Sequence, residues 1–311
     1  MVYFSVIIPL YNKENHIENT IQSILNQSYT NYEIIIINDG STDESESKVL
    51  EFKDSRIRLY NQKNQGAAMA RNLGIEKAKH DYIAFLDADD LWMENHLETL
   101  SALIHDFPKA GIYASGYQLI FKEGKISVPK FNGIPEDFYG IVPDYFDASL
   151  NYAVATSSSI AVPKYVFEKI GNFKSKISSG QDVDMWIRIA SKYPVALWAK
   201  ITATYLHYIE NSLSKTPILE KKLKDFLDYK SEEEANPSLK KYLDIYRMEY
   251  AMQYKIAGAD KESKELYGSI LKQNIPLKSK IVYHLPQWIL TLLLKIKQIL
   301  RKNGIDFSIY Q

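Results

Sequence analysis

Tyr82-Ile83-Ala84-Phe85-Leu86 runs straight into Asp87-Ala88-Asp89-Asp90, so an apolar stretch delivers three carboxylates at its end. The apolar part reads as a strand buried on both faces, the condition of a parallel sheet covered by helices. Asp87 and Asp89 lie two apart and leave the strand on the same side. The carboxyl edge of a parallel strand is where open α/β sheets bind ligands. Two acidic oxygens there suit a hard divalent cation that keeps some waters and bridges a diphosphate. The plainer reading is an acidic surface turn, with Asp90 as N-cap of a following helix.

The rest of the first half repeats the strand-then-helix rhythm. Phe4–Pro9 is strand-like, and Glu14–Asn26 sets Ile17, Ile21, Ile24 and Leu25 on one helical stripe. Glu33–Asn38 is an isoleucine-rich strand closed by Asp39-Gly40-Ser41-Thr42, and Ser41–Phe52 is a predicted helix. Arg56–Tyr60 is a third strand, and Gly66–Ala78 a helix whose Ala67, Ala68 and Ala70 allow close packing. The Asp87 strand and a helix over Glu94–Phe107 complete an α/β pattern, which predicts a mostly parallel sheet flanked by helices. From Gly111 to Val162 short strands, aromatic residues and turns point to an antiparallel or irregular region beside that sheet. Ala155–Val162 reads as another strand, Lys164–Ile170 as a short helix, and Gly180–Lys192 as a loop turning into a helix. Beyond about Ser214 the chain is helical and charged, with breaks at Pro217, Pro237 and Pro276.

A chain of 311 residues suffices for one large domain with an appendage, or for two domains. Its 38 basic and 38 acidic residues argue against a general nucleic-acid binder. The absence of cysteine excludes disulfides, thiolate catalysis and cysteine metal sites. The start, Met1 to Pro9, lacks the basic segment and cleavage site of a signal peptide, so a cytoplasmic protein is expected.

Asp39 closes the second strand, where a dinucleotide-binding domain would hold a ribose. Yet Pro9-Leu10-Tyr11-Asn12-Lys13-Glu14, after the first strand, contains no glycine for a pyrophosphate turn, and no P-loop occurs. What remains is a nucleotide whose base is read at Asp39 and whose diphosphate is held through a metal. A nucleotidyltransferase is disfavoured because no glycine-rich activating loop follows the first strand.

Pro9-Leu10-Tyr11-Asn12, Asn38-Asp39-Gly40-Ser41-Thr42-Asp43, Asn64-Gln65-Gly66 with Ala70-Arg71-Asn72, and Phe85 to Asp90 together resemble family 2 glycosyltransferases. Gly180-Gln181-Asp182-Val183-Asp184-Met185-Trp186 resembles that family's acidic motif before the helix beneath the acceptor site. The resemblance covers roughly residues 4–215, with the motifs in family order. It implies the GT-A fold, inverting transfer and a nucleotide-sugar donor, with UDP expected. It divides the chain into a donor-binding half (1–110), an acceptor-binding half (111–215) and a helical C-terminal region (216–311). Pro9, Tyr11 and Glu14 would line the nucleoside pocket, and Asp39 would accept the imide N–H of uracil or thymine. Arg71 would steady a phosphate or the base-binding carboxylate, and Asp87 would contact ribose or assist the metal. Asp89 is the expected direct ligand to Mn2+ or Mg2+, with His207 as a further ligand, and Asn211 to Ser214 resemble a loop closing over donor. Asp182 is the expected general base, with helix capping by Asp182 or Asp184 as the plain alternative. Gln181 stands where the family motif usually begins with Glu. This departure favours the second possibility, a catalytically silent nucleotide- or glycan-binding protein of the same fold.

Between Pro276 and Ile305 there is no acidic residue, and Lys278, Lys280, Lys295, Lys297, Arg301 and Lys302 surround the apolar run Leu285–Leu294. That run is too short to span a bilayer, which needs about 20 residues. Basic flanks with Trp288 fit a helix lying on an anionic membrane surface, or else a packed terminal helix or dimer contact. A membrane-facing enzyme suits a lipid-linked sugar acceptor as well as a free glycan.

Overall fold

The computed structural model describes residues 1–121, 124–206 and 216–302. In chain order the first elements are β1 (Phe4–Leu10), α1 (Ile17–Leu25), β2 (Tyr32–Asn38), α2 (Ser45–Glu51), β3 (Ile57–Asn61), α3 (Ala67–Lys77) and β4 (Tyr82–Phe85). There follow β5 (Leu91–Trp92), α4 (His96–Asp106), β6 (Ile112–Ile120), β7 (Ile126–Ser127), β8 (Tyr139–Ile141) and α5 (Tyr145–Ala148). Then come β9 (Ile160–Pro163), α6 (Lys164–Ile170), α7 (Gln181–Ala190) and β10 (Val195–Leu206). The C-terminal helices are α8 (Lys230–Ala235), α9 (Pro237–Ile256), α10 (Asp260–Gly268), α11 (Leu277–His284) and α12 (Gln287–Lys302).

One sheet runs in the order β3-β2-β1-β4-β9-β6-β10-β5, with β7 on β6 and β8 on β10. β1 to β4 are mutually parallel, and β6 and β10 run with them, because β9 lies antiparallel between β4 and β6. The four short strands β5, β7, β8 and β9 run the other way. The mixed α/β fold with a mostly parallel sheet is as expected. Every residue of β2 is buried, so its four isoleucines face helices on both sides. Chain order reverses beside β1, since β2 and β3 lie on one side and β4 on the other. Such a switch point opens a crevice at the carboxyl ends of its strands.

Two helices begin later than their periodicity predicts, for one shared reason. The loops after β1 and β2 bind each other before either helix starts. Asn12 N–H donates to Ser41 Oγ (3.1 Å), Thr42 N–H to Asn12 Oδ1 (2.8 Å), and Lys13 N–H to Ser45 Oγ (2.8 Å). Asn12 takes a left-handed conformation, φ 49°, to make this crossing. The strand expected over Ala155–Val162 is also shorter, because Ser157–Ser159 forms a 3-10 turn before β9. Asp90 caps no helix: it is buried, and β5 intervenes before α4.

The main core covers the sheet and takes in Leu239, Tyr242 and Leu243 from the first half of α9. A second cluster, with Met248, Met252, Ile270 and Tyr283, holds α9 to α10 and α11. Buried Asp244 ties these helices, accepting from Arg247 Nη1 (3.1 Å) and Asn274 Nδ2 (2.8 Å). The helical C-terminal region is therefore packed on the sheet domain through α9.

Candidate active site

At the switch point lies a cleft of about 310 Å3, walled by the ends of β1, β2 and β4 and the start of α3. Pro9, Tyr11, Asp39, Arg71, Asp87 and Asp89, far apart in sequence, all line it. Tyr11 is half exposed (46%) and offers a ring at the mouth.

Asp39 is 3% exposed and follows the last residue of β2. Its Oδ1 accepts from Gln62 Nε2 (2.6 Å) and Gln65 N–H (2.8 Å), and its Oδ2 from Gly66 N–H (2.8 Å). Gly66 has φ 88°, which a side chain would strain, and this turn aims its N–H at the carboxylate. A carboxylate offers about four acceptor sites, so one on Oδ2 remains for a ligand donor. Glu14 is not in the cleft wall. Its carboxylate accepts from Glu44 N–H (2.9 Å) beside the start of α2, so it shapes the loop behind Tyr11.

Arg71 is 4% exposed and pairs with Asp87 (Nη2 to Oδ1, 2.5 Å), not with Asp39. Its Nε and Nη1 have no partner among the described residues. Burial opposes the guanidinium charge, but Asp87 and then Asp182 outweigh it and raise the pKa. Arg71 thus stands electrically between the two carboxylates. Lys13 pairs with Asp89 at 2.6 Å.

Asp182 is half-buried in the first turn of α7, which starts from Gly180 in the left-handed conformation (φ 76°). Asp184 is fully buried, with Oδ1 accepting from Lys174 Nζ (3.0 Å) and the Tyr229 hydroxyl and Oδ2 from Arg188 Nε (2.9 Å). Of the two motif carboxylates, Asp182 alone is open to solvent, while Asp184 anchors the helix. Gln181 is buried, and its Oε1 lacks a partner among the described residues. Behind Asp182 sits buried Lys224, its Nζ 3.2 Å from the Tyr250 hydroxyl and 4.0 Å from the Tyr246 ring centre. Burial brings its pKa down to about 8.

His207 and Asn211 to Ser214 lie outside the described residues. Among the described residues no group of three His, Cys, Asp or Glu side chains is placed to hold a metal. The donors present nevertheless suit one. Asp87 and Asp89 bring hard oxygens to one cleft wall, where water and phosphate would complete the shell.

Sequence reasoning missed Lys13, Gln62 and Lys224, whose residue types and spacing carry no signal. It also gave Asp90 only a capping role, although a third acid beside two others was itself a signal.

The model of "Glycosyl transferase family 2" matches residues 5–169. An uncharacterized glycosyltransferase of Rickettsia bellii is 37% identical over 60% of this chain, which spans only 26% of that relative's length. The putative teichuronic acid biosynthesis glycosyltransferase TuaG of Bacillus subtilis is 30% identical over 68% of this chain and 81% of its own. Over 30% of this chain and 38% of its own, the UDP-Glc:alpha-D-GlcNAc-diphosphoundecaprenol beta-1,3-glucosyltransferase WfgD of Escherichia coli is 48% identical. Residues 1–349 of S. aureus TarS in complex with UDP-GlcNAc share the fold, with TM-score 0.59 and 16% identity over 86% of this chain and 91% of that one.

Proposed function

The chain belongs to glycosyl transferase family 2, and from that premise we propose that it moves a sugar from a UDP-linked donor to a glycan or lipid-linked acceptor, with inversion. The observation that carries this reading is the meeting of Asp39, Arg71, Asp87 and Asp89 in one cleft. Residues 1–110 serve the donor and 111–215 the acceptor.

The remaining acceptor site on Asp39 takes the uracil imide N–H, which cytosine lacks, and the Tyr11 ring covers the base. Asp87, steadied by Arg71, takes ribose hydroxyls. Asp89 and His207 are the residues that would hold Mn2+ or Mg2+, and the ion would neutralise charge on the departing diphosphate. Arg71, whose Nε and Nη1 have no partner among the described residues, and the ammonium of Lys13 place further positive charge beside that leaving group. Asp182 takes the proton of the acceptor hydroxyl as its oxygen attacks the anomeric carbon from the opposite face. The C–O bond to the diphosphate breaks in the same step, so no second catalytic carboxylate is required.

WfgD, by its name, acts on a diphosphoundecaprenol-linked sugar, which supports a lipid-linked acceptor here. No described helix is long and apolar enough to cross a membrane. Trp288, Leu292 and Ile296 follow one another every fourth residue along α12, all exposed, while Leu290 is buried. Together with exposed Leu277 and Ile281 on α11 and with Lys278, Lys280 and Lys295, they are the groups through which residues 276–305 would meet an anionic membrane surface. The protein then works on the cytoplasmic side, peripheral to the membrane.

Asp182→Asn tests the chemistry. It keeps shape and hydrogen bonding but takes up no proton, so UDP affinity should persist while transfer falls about 10²–10⁴-fold. Normal transfer by this variant would remove Asp182 as base. A second reading, a binder without turnover, rests on Gln181. Donor binding by the wild type without transfer to any polysaccharide or lipid-linked acceptor would favour it.

A further inference from the structure

Asp90 is the one acid of the Asp87–Asp90 turn that does not line the cleft, and it is 4% exposed. A buried carboxyl is costly unless its oxygens are bonded, so its partners show what it does. Its Oδ2 accepts from Ser158 Oγ–H (2.6 Å), and its Oδ1 faces Leu206 N–H (3.3 Å) at the end of β10. Ser158 Oγ in turn accepts from Asp87 N–H (3.1 Å). A serine hydroxyl has one hydrogen and two lone pairs. With the hydrogen committed to Asp90, a lone pair is left for the backbone of Asp87.

The rest of Ser158 is also fixed. Its N–H donates to the Tyr205 hydroxyl (3.1 Å), and its carbonyl accepts from Trp92 Nε1 (2.7 Å). The single Thr20 Oγ1 hydrogen is shared between the Asp90 and Ala88 carbonyls, each 3.0 Å away. Two segments thus hold the backbone on which Asp87 and Asp89 stand, α1 through Thr20 and the 157–159 turn through Ser158, while β5 and the end of β10 hold Ser158 and the Asp90 carboxylate in turn.

We propose that Asp90 and Ser158 are positioning residues that fix the Asp87–Asp89 turn in the geometry that receives the nucleotide diphosphate. The inference rests on the cleft being the UDP site, and it assigns work to two side chains that touch neither donor nor acceptor. The chain Asp90 to Ser158 to Asp87 N–H acts as a unit, so breaking it at either point has the same result.

Calorimetric titration of UDP in the presence of Mn2+ tests this with wild type, Ser158→Ala, Asp90→Asn and the double variant, each first shown to be folded by circular dichroism. Ser158→Ala removes one hydroxyl and leaves the Asp87 N–H unpaired, so UDP affinity should fall about tenfold to a hundredfold. Asp90→Asn should also weaken UDP, since its amide satisfies Leu206 N–H and Ser158 Oγ–H incompletely. The double variant should be less than twofold worse than Ser158→Ala, because the unit is already broken. Lower thermal midpoints with unchanged UDP affinity in both single variants would make the pair merely structural and overturn the proposal, as would losses that multiply in the double variant. Failure of the wild type to bind UDP would overturn the donor reading together with this inference. Normal wild-type binding with unaffected variants would overturn this inference alone.

Discussion

Burial of the His96 imidazole, stacked on Trp92 with ring centres 4.2 Å apart, holds its pKa down to about 3. Its Nδ1 meets Thr202 Oγ1 at 2.8 Å, so the ring joins α4 to β10. In the unfolded chain the same imidazole takes a proton near pH 6.5. Between these values the unfolded state binds more protons, so stability is complete above pH 6.5 and drains away as pH falls toward 3. The slope is up to about 1.4 kcal/mol per pH unit from this group. Urea unfolding of wild type and His96→Asn across pH 7 to 4 should show a flatter dependence in the variant; equal slopes would place the loss elsewhere. Nothing in the sequence marked His96. Asp39 and Asp89 were legible because each directly follows, or lies close behind, an apolar strand. Their partners were not: Gln62, Gln65 and Gly66 reach Asp39 from 23 to 27 positions on, and Lys13 reaches Asp89 from another loop.

Elements were easier to read than their ends. Of the stripe Ile17, Ile21, Ile24 and Leu25, the three isoleucines are buried as the spacing requires and Leu25 is half-buried. Yet α1 and α2 start late because side chains in each loop take the other loop's N–H groups, a competition that periodicity does not express. Helix α3 shows packing that was legible in part. Ala68 and Ala70 are buried as small residues allowing close approach, and Gly74 completes the set. A Cβ on Gly74 would stand 2.4 Å from Ile7 Cγ2 in β1. Gly74→Val should therefore cost about 1–3 kcal/mol by overpacking, read as a lower urea midpoint. UDP affinity of the folded fraction should fall little, because α3 meets the cleft at its other end. A variant as stable as wild type would mean that α3 and β1 separate more readily than this packing implies.

At the scale of the whole molecule, α9 joins two cores; of it the sequence showed only a helical region with a break at Pro237, where the helix begins. Which of its faces would meet the sheet was not readable, since that depends on a surface formed by distant strands. The α11–α12 face was legible as a composition, basic and apolar without acids, and the fold leaves its Trp288, Leu292 and Ile296 exposed. The 311-residue chain should cosediment with anionic vesicles at low salt and release as salt rises. Trp288→Ser/Leu292→Ser should weaken that binding without changing UDP affinity. Indifference to anionic vesicles would make the face a contact between protein surfaces instead.

Donor recognition, metal binding and sugar transfer all depend on a uridine nucleotide entering the cleft at the β1–β4 switch point. Calorimetric titration of UDP and CDP into the wild-type protein with Mn2+ tests this most directly. Asp39 offers its remaining acceptor to an imide N–H that uracil has and cytosine lacks, so UDP should bind at least about tenfold tighter, the worth of one charged hydrogen bond. Equal affinity for the two nucleotides, or no binding of UDP, would contradict the account.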